Sequence, residues 1–103
     1  MEPEKAATVS IGERDGKSAI FLAGVVDIFF AADLRQAALT LIENGDEVAV
    51  CCEKLERLDT ATLQTLLALK KELQQRGRSM QVIGLPPEPA RVVGLAGLGG
   101  YLL

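Results

Sequence analysis

The stretch EVAVCC, residues 47–52, decides the fold. Five of its six residues are apolar. The run is too short for a helix and too continuous for a half-exposed strand, so it reads as a central strand covered on both faces. Upstream lies FAADLRQAALTLIENG (30–45), where Leu34, Ala37, Ala38, Leu41 and Ile42 form a helical stripe. Asn44-Gly45 supplies its left-handed stop. Downstream a second helix opens near Thr60 and runs to about Gln75. Thr62, Leu66, Leu69 and Leu73 line one side of it, Leu63 and Leu67 widen that side, and Arg76-Gly77 closes it. A buried strand between two helices of this length predicts right-handed crossovers and a mostly parallel sheet.

The pattern continues in both directions. SMQVIGL (79–85) is a further buried strand. Pro86, Pro87 and Pro89 then break the chain before ARVVGLAGLGGYL (90–102), a Gly-interrupted helix. At the other end, TVSIGERDGKSAIFLAG holds two short strands, about 8–12 and 18–23. Asp15-Gly16 between them signals a hairpin, because both residues tolerate positive φ. Residues 1–7 are polar and Ala-rich and read as a flexible N-terminus ahead of one domain, 8–103. The expected architecture is α/β in the order ββαβαβα: a mixed, mostly parallel sheet of four to five strands, with helices mainly on one face.

Composition sets the limits on function. With 103 residues a second core is implausible. Net charge is −3, and the basic residues are scattered; Lys70, Lys71, Arg76 and Arg78 are interleaved with Glu72 and read as a solvated helix face. Nucleic acid needs clustered cations, so no nucleic-acid partner is expected. No stretch has the length of a membrane span and MEPEK is no signal-peptide start, which predicts no membrane insertion and a cytoplasmic location. Cys51 and Cys52 are strand neighbours whose side chains point to opposite faces, so they read as two small buried residues rather than a disulfide. The chain has no His, and no metal or other cofactor is expected. GLAGLGG (94–100) lacks the Lys and the strand-to-helix setting of a phosphate-cradling loop and reads as a close-packed helix.

Two carboxylates, Asp27 and Asp59, fall at strand-to-helix junctions, at the same edge of the expected sheet. Beside a hydroxyl they admit two readings: acid–base chemistry, or charges placed at helix N-termini. Thr60 likewise reads as an N-cap whose hydroxyl accepts from the backbone. The same position suits a phosphate, because free amide N–H groups and the helix dipole point at it.

These residues resemble the STAS domain family (sulfate transporter and anti-sigma factor antagonist), of the anti-sigma factor antagonist type. FLAGVVD matches its L-x-G-x-x-D strand through Leu22, Gly24 and Asp27, and LERLDTATL its junction of Asp, Ser or Thr, and Gly. LKKELQQRGRSMQVIG and ARVVGLAGLGGYL match the helix, Arg-Gly turn, strand and last helix that follow. The likeness spans about residues 8–102. It implies a non-enzymatic bacterial signalling protein that binds an anti-sigma factor acting as a Ser/Thr kinase. Thr60 would be the phosphorylated residue, beside Asp59 and across from Asp27. The alternative it implies is a non-phosphorylated subunit docking on a lipid-transport ABC ATPase or on a signalling or chemosensory scaffold. Three departures stand out. Thr62 replaces the family's Gly and offers a second phosphorylation candidate; Cys51 replaces an acid at the end of the third strand; and Ile28, Phe29 and Phe30 replace a small or hydroxylated helix start. The phenylalanines read either as core or as an apolar docking patch. The expected partner-binding set is therefore Asp27, Ile28, Phe29, Phe30, Asp59, Thr60 and Thr62. The oligomeric state is left open.

Overall fold

The structure is a computed structural model that describes residues 9–26, 30–44, 47–95 and 97. The opening hairpin joins β1 (Val9–Arg14) to β2 (Lys17–Val26), antiparallel from Val9↔Leu22 to Arg14↔Lys17. Asp15 and Gly16 both take positive φ, 52° and 81°, the geometry of a two-residue turn that matches the strand twist. Then follow α1 (Ala31–Asn44), β3 (Val48–Leu58), α2 (Thr60–Gln75), β4 (Met80–Ile83) and α3 (Pro87–Leu95). The sheet has four strands in the order β1-β2-β3-β4, with β2, β3 and β4 parallel. The order ββαβαβα is the expected one.

Two crossovers that step the same way across the sheet put α1 and α2 on one face. The core confirms it. Ile20, Leu22, Val48, Val50 and Cys52 pack against Leu34 and Leu41 of α1, Leu66 and Leu73 of α2, and Val93 of α3. Ala19, Ala49 and Cys51 form a second, smaller cluster with Phe21 and Ile83 on the opposite face, contributed by strands alone. Cys51 and Cys52 are thus split between the faces, both buried and both free thiols.

The strand β3 runs six residues past the apolar stretch that announces it, and its pairing explains how. Between Phe21↔Cys51 and Ala23↔Lys54, and again between Gly24↔Leu55 and Val25↔Arg57, β3 advances one residue more than β2. Each bulge returns the next leucine to the helix side, so Cys52, Leu55 and Leu58 are all buried at a spacing of three.

Glycine and arginine finish α2. Gly77 (φ 73°) donates to the Gln74 carbonyl at 3.0 Å and Arg78 N–H to the Leu73 carbonyl at 2.8 Å, a Schellman closure. The Arg78 guanidinium is not a solvated charge: it donates to the Ile42 carbonyl at 2.6 Å, closing the end of α1. At the last helix the prolines start the element instead of breaking it. Pro87 needs no N–H partner in a first turn, and Ala90 N–H reaches the Pro86 carbonyl at 2.9 Å. The helix therefore begins at Pro87 rather than at Ala90, and is described as far as Leu95. Gly45, expected to stop α1, lies outside the described residues, as do 1–8 and 98–103.

Candidate functional site

The carboxyl ends of β2 and β3 lie side by side, with Val26 opposite Leu58. Gly24, at φ 69°, supplies the left-handed turn of backbone beside the second bulge and so sets how β2 ends. The next described residue after β3 is Asp59. It is extended (φ −111°, ψ −179°), and its carboxylate accepts the Thr62 N–H at 2.9 Å. Its carbonyl takes the first intrahelical bond, from Leu63 N–H at 3.0 Å. Asp59, not Thr60, is the N-cap of α2, and it meets the preference for a negative charge there.

Thr60 is consequently the first helical residue, and its side chain is exposed. With Thr62 N–H taken by the cap, the N–H groups of Thr60 and Ala61 are the first-turn donors with no intrahelical acceptor. An anion carried on Thr60 would sit beside these donors, and also beside the Asp59 carboxylate.

Thr62 has the opposite environment. It is completely buried, and its Oγ1 lies 3.0 Å from the Val26 carbonyl and 2.9 Å from Asp59 Oδ1. The hydroxyl has one proton and two acceptors within reach, so it donates to one of them at a time or is shared between them. It ties the start of α2 to the end of β2 while holding the cap carboxylate in place. The hydroxyl expected as a second phosphorylation candidate and contact residue is thus enclosed in this structure, whereas that of Thr60 is exposed. The methyl-bearing side chain that replaces glycine is spent inside.

Of the three residues read as a docking patch, Phe30 is half-buried and packs against the main core. It belongs to the packing of α1 rather than to a free apolar surface. Ile28 and Phe29, with Asp27, lie outside the described residues. Among the described residues near this edge, Val25, paired with Arg57, is an exposed apolar one.

On the helix-free face, Arg14 meets Glu53 at 2.6 Å. The guanidinium holds the Glu53 carboxyl below its ordinary range, and the Arg14 pKa rises in return, through Glu53 first and then through contact with Cys51. Arg14 therefore faces both Glu53 and Cys51, and Glu53 neutralises its charge. Cys52, on the core side, is pushed up to about 12 by burial, with Cys51 and Glu53 adding to the effect. Sequence reasoning missed the Arg14–Glu53 pair because its partners are 39 residues apart and on two strands that β2 separates. Among the described residues no group of His, Cys, Asp or Glu is placed to hold a metal, and no helix is long and apolar enough to cross a membrane.

A three-helix layer on one face of a mixed four-stranded sheet, with an acid-capped helix start at the edge, defines a class of small two-layer α/β domains. The family model described as "Mlab, STAS domain" matches residues 9–103, and the chain belongs to the STAS domain family. It is 22% identical over 90 residues to the anti-sigma-B factor antagonist of Bacillus subtilis (strain 168), covering 87% of this chain and 83% of that protein. Its fold is similar to that of an anti-sigma factor antagonist from Mycobacterium paratuberculosis, with a TM-score of 0.81, 23% identity and coverage of 92% and 81%. The anti-sigma factor antagonist SpoIIAA in its unphosphorylated form superposes with a TM-score of 0.72, 16% identity and coverage of 92% and 86%. SpoIIAA of Bacillus in the phosphorylated form gives 0.72, 19%, and 92% and 88%.

Proposed function

We propose that this protein is a partner switch of the anti-sigma factor antagonist type, in which the exposed Thr60 is phosphorylated by the anti-sigma factor that the unmodified form binds. One observation carries the reading: a solvent-facing hydroxyl at the first position of α2, between a carboxylate cap and a buried threonine. A phosphoryl group there brings about −1.5 to −2 charges. The free N–H groups of Thr60 and Ala61 and the helix dipole stabilise it, so the fold tolerates the modification. The Asp59 carboxylate next to it sums to a concentrated negative edge, and a partner fitted to the neutral hydroxyl is repelled. The reaction belongs to the partner; this chain supplies the acceptor and the recognition surface, and no catalytic role.

A second reading is favoured by Thr62. Its hydroxyl anchors the Asp59 carboxylate at the helix start, so a phosphate on Thr60 meets a negative charge that cannot swing away. In that reading the edge is a permanent docking surface for an ATPase subunit or a signalling scaffold. Capture of the tagged protein from its native cells, with mass spectrometry of both the partner and the peptide carrying Thr60, separates the two. The switch requires phosphate on Thr60, absent in Thr60→Ala, and a kinase-type partner released by that phosphate. A complex indifferent to phosphatase, with Thr60 bare throughout, establishes the docking subunit instead.

A further inference from the structure

The hairpin leaves β1 at one edge of the sheet, paired with β2 on its inner side alone. In a two-residue turn the flanking pair, here Arg14 and Lys17, exchanges both backbone bonds, and bonded and unbonded pairs then alternate along the ladder. Gly12 and Ser10 therefore bond β2, whereas the N–H and C=O groups of Val9, Ile11 and Glu13 point away from the sheet. Residues 10–13 are exposed, and the register with β2 is unbroken, so no bulge turns this edge aside. Residues 9–12 hold neither proline nor a charged side chain, the usual means of blunting an edge. The opposite edge is blunted: β4 is four residues long, and Gly84, at φ 70°, and Pro86 follow it at once. Side chains sharpen the contrast. Val9 packs against the main core, and Ile11, next on that side of the strand, is 47% exposed although α1 packs on β1.

We propose that this edge is a self-association surface: β1 of two copies pair antiparallel about a two-fold axis at Ile11, joining two four-stranded sheets into one. An unpaired row of strand donors and acceptors is completed by another strand, which fixes the kind of occupant. The row itself selects a second copy. Its three members are centred on Ile11, so Ile11 meets Ile11, and Val9 meets Glu13 of the other copy. Every outward group of the three is then bonded, roughly six bonds in all. The exposed apolar side chain is matched by its own equivalent. Because paired residues share a face, both α1 helices lie on one side of the joined sheet, and the two Ile11 side chains extend the apolar row that Val9 begins. The two Glu13 carboxylates stand four residues apart along the ladder, about 13 Å. Centring the pair on Glu13 would set them directly opposite, which disfavours that register. On the other face Gly12 meets Ser10, and neither is large enough to obstruct the approach.

Equilibrium sedimentation of the protein from about 10 µM to about 1 mM should show a reversible monomer–dimer equilibrium. Ile11→Lys sets two ammonium groups opposite each other and should weaken it about tenfold or more. Ile11→Pro should do the same, because it deletes an outward N–H that β2 does not use. Gln81→Lys, exposed on β4, should leave the equilibrium unchanged. Circular dichroism verifies that the variants fold. Cysteine pairing reads the register. Directly opposed Ile11 Cα atoms lie about 5.5 Å apart, within disulfide reach, and the native Cys51 and Cys52 are buried. Mild oxidation should therefore join two copies of Ile11→Cys and leave Glu13→Cys largely unjoined. A monomer at every concentration overturns the proposal and leaves the edge to an extended segment of another protein. So does a dimer indifferent to Ile11→Lys and Ile11→Pro, or equal joining through the two cysteine variants.

Discussion

Asp59 and Thr60 are neighbours with separable duties, and single substitutions should divide them. Removing the Asp59 carboxylate strips the cap from Thr62 N–H and one acceptor from the Thr62 hydroxyl. Asp59→Ala should therefore cost about 1–2 kcal/mol, the range for loss of an N-cap. Thr60→Ala removes an exposed hydroxyl with no fixed partner and replaces it with a better helix former, so its effect should stay within about 0.5 kcal/mol. Urea midpoints of the two variants measure this directly; a Thr60→Ala loss as large as that of Asp59→Ala would return the cap to Thr60. Thr62→Val tests the buried hydroxyl. It keeps the shape but removes the one hydroxyl proton that the Val26 carbonyl and the cap carboxylate share, at a cost of about 1–3 kcal/mol. Under the proposed switch the expectation reverses: Thr60→Ala should remove the phosphate acceptor, whereas Thr62→Val should leave it in place.

Helix ends carry the corresponding argument one level up. The last carbonyls of α1 have no intrahelical donor, and a guanidinium from beyond α2 reaches one of them across 36 residues of sequence. Arg78→Ala should cost about 1–2 kcal/mol, because a charged hydrogen bond and a favourable charge at a helix carboxyl end are lost together. Arg78→Lys should recover only part of it, lacking the planar fork. Hydrogen exchange at the end of α1 gives a local readout, with faster exchange expected there than in the middle of α2. This tie was not legible in the sequence, where Arg78 looks like one more solvated cation. Elements whose signal lies in their own residues were legible: the Asp15-Gly16 turn, the leucine stripe of α2, and the Arg76-Gly77 closure. The second half of β3 was not, because its leucines recur every third residue and only the bulges against β2 bring them to one face. The helix start at Pro87 was missed for a different reason, since proline both breaks helices and begins them. At the site, the placement of Asp59 and Thr60 at a strand-to-helix junction could be read from composition and spacing. Which of the two caps could not, since either side chain can accept that bond and the choice depends on where β3 ends.

For the molecule as a whole, the thiol of Cys52 sets a limit on the alkaline side. It lies in the core among residues of the sheet and of all three helices, and burial pushes its pKa up to about 12. In the unfolded chain an ordinary cysteine ionises near 8.5. From about pH 8.5 upward the unfolded state therefore gives up a proton that the folded state retains, and each unit of pH costs the fold roughly 1.4 kcal/mol. The stabilisation is fully present below about 8.5 and is lost as the pH rises towards the folded value. By about pH 10.5 the loss should be on the order of 2–3 kcal/mol, a large share of the roughly 5–15 kcal/mol that holds a domain of this kind together. Other groups titrate in the same range, so the wild-type slope alone does not isolate it. Cys52→Ala does. At neutral pH the variant is less stable by about 1 kcal/mol for the atoms removed from the core. It has no thiolate to form, so its urea midpoint should fall less between pH 7.5 and 10.5, and the two proteins should converge or cross. Parallel curves would mean that water reaches Cys52 in the native state. The core between β3 and the helices would then be looser than its packing implies.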